Sequence, residues 1–130
     1  MNATKTDTRF APPADEDAKA IRALLDVMRL FRKESPTIPM SYAMGFLLVA
    51  LKPGGGSTDY MEDLDTIQPI MSRIMLALAK HERRNRGEDS GFDLIDMAND
   101  PLDLRRKRAF LTPRGRALMT SVLKVINRIK

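Results

Sequence analysis

Apolar residues recur at helical spacing through much of the chain, so the sequence predicts a mainly helical fold. A first helix is expected from Asp15 to Glu34, because its first turn is acidic and its last turn basic, which suits the helix dipole. Its apolar stripe consists of Ile21, Leu24, Leu25, Met28 and Phe31, widened by Val27 and Leu30. A stripe of this width is compatible either with ordinary core packing or with a subunit interface.

A second helix is expected from Met40 to Leu51, with Thr37 as its cap. The segment is apolar nearly all round, which predicts a central buried helix that ends at Lys52-Pro53. The glycines at 54–56 that follow are interpreted as a flexible connector. A phosphate-binding loop is rejected, since no Gly-Lys-Ser/Thr sequence follows and no buried strand precedes them.

Two helices joined by a tight turn come next, which makes a helix-turn-helix candidate. Ser57 or Thr58 is expected to cap a short acidic helix from Asp59 to Leu64, and Asp65-Thr66 turns the chain into a helix that begins near Ile67. Its inward positions are Ile67, Ile70, Met71, Ile74 and Leu78, with Met75 beside them. Its outward positions are Gln68, Pro69, Ser72, Arg73, Ala77 and Lys80. That outward face suits a helix laid in a major groove, but it is also what any solvated helix shows.

A hairpin, which we call the wing, is predicted after a polar run. The run from His81 to Ser90 either extends the preceding helix or forms a loop. Phe92 to Met97 and Lys107 to Leu111 are the expected strands, with a turn at Asn99 to Asp103. Arg105, Arg106, Lys107 and Arg108 are consecutive cations that would project into solvent or onto a polyanion.

The last helix is expected from Pro113 to Lys130, with Thr112 as its N-cap and Pro113 in its first position. One apolar line contains Leu118, Val122, Val125 and Ile129, and the next contains Met119, Leu123 and Ile126. Together with the wide stripe of the first helix, this favours a dimer formed by the chain ends.

Composition and charge indicate the number of domains, the cellular location and the kind of partner to expect. The chain of 130 residues suits one domain, with residues 1–14 as a mobile arm. It has no cysteine, no signal-peptide pattern and no apolar run long enough to span a membrane, so a cytoplasmic location is expected. The net charge is +5, and every charged residue from Arg105 to Lys130 is positive, which favours an acidic partner.

Enzymatic chemistry finds little support in the sequence. The single histidine, His81, stands among arginines and is better explained as a surface residue than as a base or metal ligand. Carboxylates cluster at 15–17, at 62–65 and at 100–103, but capping, solvation and turn formation explain each cluster. The nine methionines are interpreted as adaptable core filling. We therefore expect no enzyme, no metal and no cofactor.

The wing carries a motif that resembles the MarR family of winged helix-turn-helix transcription regulators. The family has an Asp, an Arg two residues on, and then Leu-Thr-Pro with a Gly two positions after the Pro. The matching residues are Asp103, Arg105, Leu111, Thr112, Pro113 and Gly115. A second match runs from Leu64 to Arg73 and includes the Ser72-Arg73 pair, and the resemblance covers about residues 37–119. It departs at Asp65, where the family has Gly, at Pro69, and in the longer link at 81–90.

This resemblance implies a homodimer in which residues 15–34 and 113–130 interlock and residues 37–112 form a DNA-binding lobe within one domain, 15–130. The recognition helix would enter a major groove, and Arg105, oriented by Asp103, would enter the neighbouring minor groove. The DNA-binding residues so implied are Gln68, Pro69, Ser72, Arg73, Lys80, Arg105, Arg106, Lys107 and Arg108. Backbone contacts could come from Arg83, Arg84 and Arg86. A small aromatic effector is a further expectation from the family.

Two functional classes stay open from the sequence. The first is a regulator, usually a repressor in this family, that binds double-stranded DNA sequence-specifically. The second is a winged-helix protein-interaction adaptor or a modulator of the transcription machinery, which binds an acidic protein surface through its basic wing and has no specific DNA binding. The fold does not decide between them.

Overall fold

The structure is a computed structural model that describes residues 8–79, 81, 82 and 89–129. Its helices are α1 (Asp15–Glu34), α2 (Met40–Leu51), α3 (Ser57–Tyr60), α4 (Gln68–Leu78) and α5 (Pro113–Asn127). Its strands are β1 (His81–Glu82), β2 (Asp89–Ser90), β3 (Ile95–Asp100) and β4 (Asp103–Leu111). The predicted fold class, mainly helical with a two-stranded wing, is confirmed. Of the predicted arm, residues 1–7 lie outside the described part, and a short 3-10 turn forms at Thr8–Phe10.

The two long end helices pack against each other through a face of α1 that uses only part of the predicted apolar stripe. Ala23, Val27 and Phe31 are buried on α1. The opposing buried residues of α5 are Leu118, Val122 and Val125, as predicted. Ile21, Leu24, Leu25 and Met28 of the predicted stripe are 44–61% exposed, so ordinary core packing does not account for them, and the subunit-interface alternative stays a prediction. Apolar residues occupy more than one face of α1, so periodicity alone could not show which face is inward. The inward face includes Ala23, a small residue that the predicted stripe left out.

Helix α2 begins and ends where predicted, but it is not buried on all sides. Pro39, rather than Thr37, is its N-cap, and no side chain caps the helix. Phe46 and Val49 are fully buried, and a Cβ at Gly45 would lie 2.9 Å from Ile74 Cγ2, so α2 crosses α4 closely at this glycine. One face stays open to solvent through Met40, Met44, Leu47 and Leu51. A uniformly apolar sequence has no polar face to signal such exposure.

The glycine connector is fixed to the wing instead of being flexible. Gly54 N–H donates to the Ala109 carbonyl at 2.7 Å, and Ala109 N–H donates to the Gly55 carbonyl at 2.8 Å. The following helix is shorter than predicted, and its N-cap is Gly56 rather than Ser57 or Thr58. Asp59 Oδ2 accepts the Gly56 N–H at 2.7 Å, because a carboxylate three residues along can reach back to the cap.

Helix α4 begins after Ile67, near the predicted start, and buries Met71, Ile74, Met75 and Leu78. Ile67 and Ile70 were predicted to point inward, but they are 60% and 44% exposed. Both lie at the N-terminal end of the helix, where the first turn extends past the core. The described ends of the polar run after α4 form short strands, because β1 and β2 pair antiparallel, His81 with Ser90 and Glu82 with Asp89. Residues 83–88, on which the choice between helix and loop also rested, lie outside the described residues.

The first strand of the wing begins three residues later than predicted, at Ile95. Asp93 has a φ of 56°, which interrupts extended backbone at the position where Phe92 to Met97 was expected to start. The segment is held instead at the end of α4, where Phe92 N–H donates to the Ala77 carbonyl and Leu94 N–H donates to the Leu78 carbonyl. Carbonyls at a helix C-terminus need such partners. The pairing of β3 with β4 is antiparallel from Ile95–Leu111 to the tip.

Helix α5 starts at the predicted cap. Thr112 Oγ1 accepts the Gly115 N–H at 2.9 Å and donates to the Asp93 carbonyl at 2.6 Å. Gly115 is required by space, since a Cβ there would lie 2.1 Å from the Leu94 carbonyl oxygen. The helix ends at Asn127, short of the predicted Lys130, and Ile129 is 45% exposed beyond it.

Gly115→Ala should destabilise the protein, although alanine is the better helix former. Helix propensity alone would favour alanine by about 1 kcal/mol. The contact with the Leu94 carbonyl forces backbone movement, and overpacking of this kind costs roughly 1–3 kcal/mol or more. Urea unfolding should therefore give a lower midpoint for Gly115→Ala than for wild type.

Thr120→Ala, at an exposed position of the same helix, is the matched control and should leave the free energy of unfolding within about 0.5 kcal/mol. A Gly115→Ala protein as stable as wild type would contradict the close approach.

Candidate nucleic-acid interface

The turn into α4 keeps its shape in spite of the aspartate at its centre. Asp65 has a φ of 54°, in the left-handed region where glycine is the easiest residue. Asp and Asn are the other residues that adopt this conformation readily. Thr66 N–H donates to the Met61 carbonyl at 3.0 Å and closes the turn. Asp65 thus preserves the backbone geometry and adds a carboxylate to the surface near α4.

One face of α4 is open to solvent and carries the predicted polar residues. Gln68, Pro69 and Arg73 are exposed, and Ser72 is half-buried. Gln68 Nε2 donates to Ser57 Oγ at 3.2 Å, which joins the starts of α3 and α4. Pro69 lies in the first turn, so its missing N–H removes no helical hydrogen bond but leaves one donor fewer at this end.

The four cations of β4 divide between the two faces of the strand. Arg105 and Lys107 alternate with Arg106 and Arg108, as residues of a strand must. Arg106 Nη2 lies 2.8 Å from Asp59 Oδ2, and Arg108 Nε donates to the Gly54 carbonyl at 3.0 Å. The sequence predicted four projecting cations, but the structure bonds Arg106 to helix α3 and Arg108 to the glycine connector.

Arg105 stands out from the wing and is bonded at its base. Its side chain is 94% exposed. Asp103 Oδ1 accepts the Arg105 backbone N–H at 3.1 Å and the Arg105 Nε–H at 3.3 Å. One carboxylate oxygen thus contacts both the backbone and the guanidinium of the same residue. The geometry is the one that the resemblance implies for this pair, and the orienting role of Asp103 stays a prediction.

Asp59 connects the wing to the start of α3. The hydrogen bond from Gly56 N–H lowers the pKa of the Asp59 carboxyl, and the Arg106 guanidinium lowers it further. Nearby, the Tyr60 hydroxyl donates to the Lys52 carbonyl at 2.6 Å and accepts the Gly55 N–H at 3.0 Å. Burial raises the pKa of this hydroxyl. Both groups keep the glycine connector in place beneath β4.

A cleft of about 720 Å³ separates α4 from the wing. Its walls include Gly56, Ser57, Thr58, Gln68, Ser72, Met75, Leu76, Met97, Asp103, Arg105, Arg106 and Lys107. Cations line one side, and small polar residues from α3 and α4 line the other. This arrangement can accept a polyanion, with hydrogen-bonding groups close to it. Sequence reasoning missed Ser57 and Thr58 as site residues, because it assigned them only to helix capping.

Four of the predicted contact residues cannot be placed in this geometry. Lys80, Arg83, Arg84 and Arg86 lie outside the described residues. The described positions next to them are Ala79 and strands β1 and β2, where His81 pairs with Ser90 and Glu82 with Asp89. The contacts expected of these four cations therefore stay predictions.

Comparison with known proteins relates this geometry to a known fold. No protein-family model matches the sequence, and a comparison with curated proteins finds no match. Solved structures do match. A MarR-like transcriptional regulator from Thermotoga maritima is 22% identical with a TM-score of 0.57, and the match covers 92% of this chain and 79% of that one. This chain has the MarR-like winged-helix fold.

Two similar winged helices were solved with DNA. A point mutant of S. aureus MepR, bound to an oligodeoxyribonucleotide, is 17% identical with a TM-score of 0.61 over 85% of this chain and 72% of that one. The transcriptional repressor CouR, bound to a 23-mer duplex, is 21% identical with a TM-score of 0.53 over 90% of this chain and 80% of that one. In the MarR-like winged helix of the present chain, the β3–β4 hairpin is the wing and α4 has the recognition-helix position. The resemblance in fold inferred from the wing motif is confirmed.

Asp59→Asn should lower stability in a pH-dependent way. The folded pKa of Asp59 lies below its ordinary value of 3.8, so the carboxylate stabilises the fold above that pH. This stabilisation is lost as the pH falls through the folded pKa. The difference in unfolding free energy between wild type and Asp59→Asn should therefore be largest near neutral pH and shrink below about pH 4.

Urea unfolding at neutral pH and at about pH 3 measures this difference. Adding Arg106→Met should remove part of the pH dependence, because the ion pair then no longer exists. A difference that is the same at both pH values would contradict the role given to the Asp59 charge.

Proposed function

We propose that this protein is a sequence-specific, double-stranded DNA-binding transcription regulator that acts as a repressor. The observation that carries the proposal is the cleft with the open face of α4 on one side and the exposed Arg105 on the other. The net charge of +5, with only positive charges from Arg105 to Lys130, agrees with a polyanionic partner. The two DNA-bound neighbours, one of them a repressor, support the same function by likeness of fold.

In this proposal α4 enters a major groove and reads base edges. Gln68 and Ser72 lie toward the cleft, where an amide or a hydroxyl can bond to a base. Arg73 is exposed on the same helix, and its guanidinium can bond two acceptors of one guanine. Pro69 contacts the groove without a backbone donor, and Lys80, two positions after the last residue of α4 in the sequence, is assigned to the same groove by its charge.

The wing occupies the neighbouring minor groove. Arg105, oriented by Asp103, is inserted there, because a narrow AT-rich groove concentrates negative potential. Lys107 faces the cleft and neutralises phosphates. Arg106 and Arg108 contribute charge from positions where they also hold the wing to the glycine connector. Arg83, Arg84 and Arg86 add backbone contacts.

Dimerisation would place two such lobes on one duplex. Residues 15–34 and 113–130 form the dimer, and residues 37–112 form the DNA-binding lobe. The proposal is supported by the apolar side chains that α1 and α5 leave exposed, namely Ile21, Leu24, Leu25, Met28, Leu123 and Ile126. A twofold arrangement would direct the two α4 helices to successive major grooves, roughly 34–36 Å apart.

Two further parts of the proposal concern the cellular location of the protein and a small-molecule effector. The location would be cytoplasmic, and a small aromatic effector stays a prediction. Among the described residues, no helix combines the length and apolar character that membrane crossing needs.

Arg105→Ala should weaken DNA binding and abolish preference for AT-rich flanks. Loss of an inserted guanidinium removes both a phosphate-neutralising charge and the minor-groove contact, so affinity should fall by about tenfold or more, with a salt slope smaller by about 1. Fluorescence anisotropy with AT-rich and GC-rich duplexes over a salt series measures all three quantities. Arg9→Ala, at an exposed arginine before α1, is the control and should bind as wild type does.

The DNA proposal fails if, at low salt, wild type has no higher affinity for any duplex than for a neutral control. The adaptor function then takes its place.

Arg73→Ala should relax base preference rather than remove binding. A bidentate contact to guanine contributes roughly 1–3 kcal/mol of discrimination, which the variant would lose at one position of the site. Competition between matched and mismatched duplexes measures the discrimination. An unchanged preference at every position would show that Arg73 reads no base.

A further inference from the structure

The tip of the wing carries large apolar side chains in a place where polar residues are usual. Leu102 is 97% exposed, more than any other large hydrophobic residue in the described part of the chain, and Leu104 is 73% exposed. Together with Pro101 they form the end of the hairpin. Solvated turns are normally built from Gly, Asn, Asp, Ser and Pro. A single exposed leucine is ordinary, but two of them at a projecting tip form an apolar point.

The local hydrogen bonds hold this point in a defined conformation. Asp100 Oδ1 accepts the Leu102 N–H at 2.9 Å, and Asp103 Oδ1 accepts the Arg105 N–H at 3.1 Å. The register of the hairpin shifts between Asn99 and Asp100, which sets the tip apart from the regular ladder. Both carboxylates therefore bond the hairpin itself, while Leu102 extends beyond them.

The charges beside the tip indicate what covers it. Arg105 is 94% exposed three residues after Leu102, and Lys107 follows on the same face of β4. An apolar point next to exposed cations fits a surface that offers anions and apolar planes within a few ångströms. The minor groove of a DNA duplex is such a surface, with phosphates along its edges and stacked bases at its floor.

We propose that Leu102 acts as a wedge that enters a base-pair step in the minor groove next to Arg105 and kinks the duplex. Leu104 packs against the sugar wall of the same groove. Inserted apolar residues partly unstack a step and bend DNA toward the major groove. Pyrimidine–purine steps unstack most easily, so the wedge would select the sequence under the wing without a base hydrogen bond. This inference rests on the proposed DNA binding and adds a second determinant of specificity to it.

The test separates binding from distortion. Wild type, Leu102→Ser and Leu51→Ser are compared on a duplex that carries 2-aminopurine at successive steps and a pair of energy-transfer dyes at its ends. Leu51 is 75% exposed on α2 and controls for loss of an exposed leucine away from the wing. Wild type and Leu51→Ser should raise 2-aminopurine fluorescence at one step and shorten the distance between the dyes. Leu102→Ser should lose both signals while anisotropy still shows binding.

Equal fluorescence and equal dye distance for wild type and Leu102→Ser would overturn the wedge and leave the DNA-binding proposal intact. Wild-type binding without a rise at any step would do the same. Absence of wild-type binding to every duplex would remove both proposals together.

Discussion

The backbone of Leu94 is the point on which the arrangement of this winged helix depends. Its N–H donates to the last carbonyl of α4 at 2.9 Å, and its carbonyl accepts the Thr112 N–H at 3.2 Å. The same carbonyl leaves room for Gly115 but not for a larger residue. One buried residue thus connects the end of α4, the end of β4 and the start of α5. The angle between α4 and the wing follows from these bonds, and the proposed simultaneous use of two grooves requires that angle to be fixed.

A second constraint acts in the middle of strand β4. Asp59 holds Arg106 against the start of α3, and the Gly54 carbonyl holds Arg108, so the charged strand is tied to the body along one face. The other face stays available for Arg105 and Lys107. Exposed ion pairs of this kind contribute little to stability individually. Their effect here is structural: two of the four cations of β4 hold the strand to the body, and the other two remain available for the proposed DNA contacts.

Much of the fold was predictable because local chemistry decides it. Asp15 to Glu34, Met40 to Leu51 and the Thr112 cap follow from dipole, patterning and capping rules, and the structure has them at the predicted positions. Burial was less predictable: Leu24 and Ile70 have the periodicity of core residues, but tertiary packing leaves them exposed. The division of the β4 cations was also hidden, since the partner of Arg106 lies 47 residues away in the sequence. The site residues implied by the motif stay predictions. The structure gives the positions only of those that lie in the described part of the chain.

Selection of bound fragments from random duplex DNA tests the central claim most directly, because it asks whether α4 and the wing together read one face of the double helix. The account predicts a consensus with twofold symmetry, in which base-specific half-sites one helical turn apart are flanked by AT-rich steps. A pool that shows no enrichment over the starting library at low salt would contradict it.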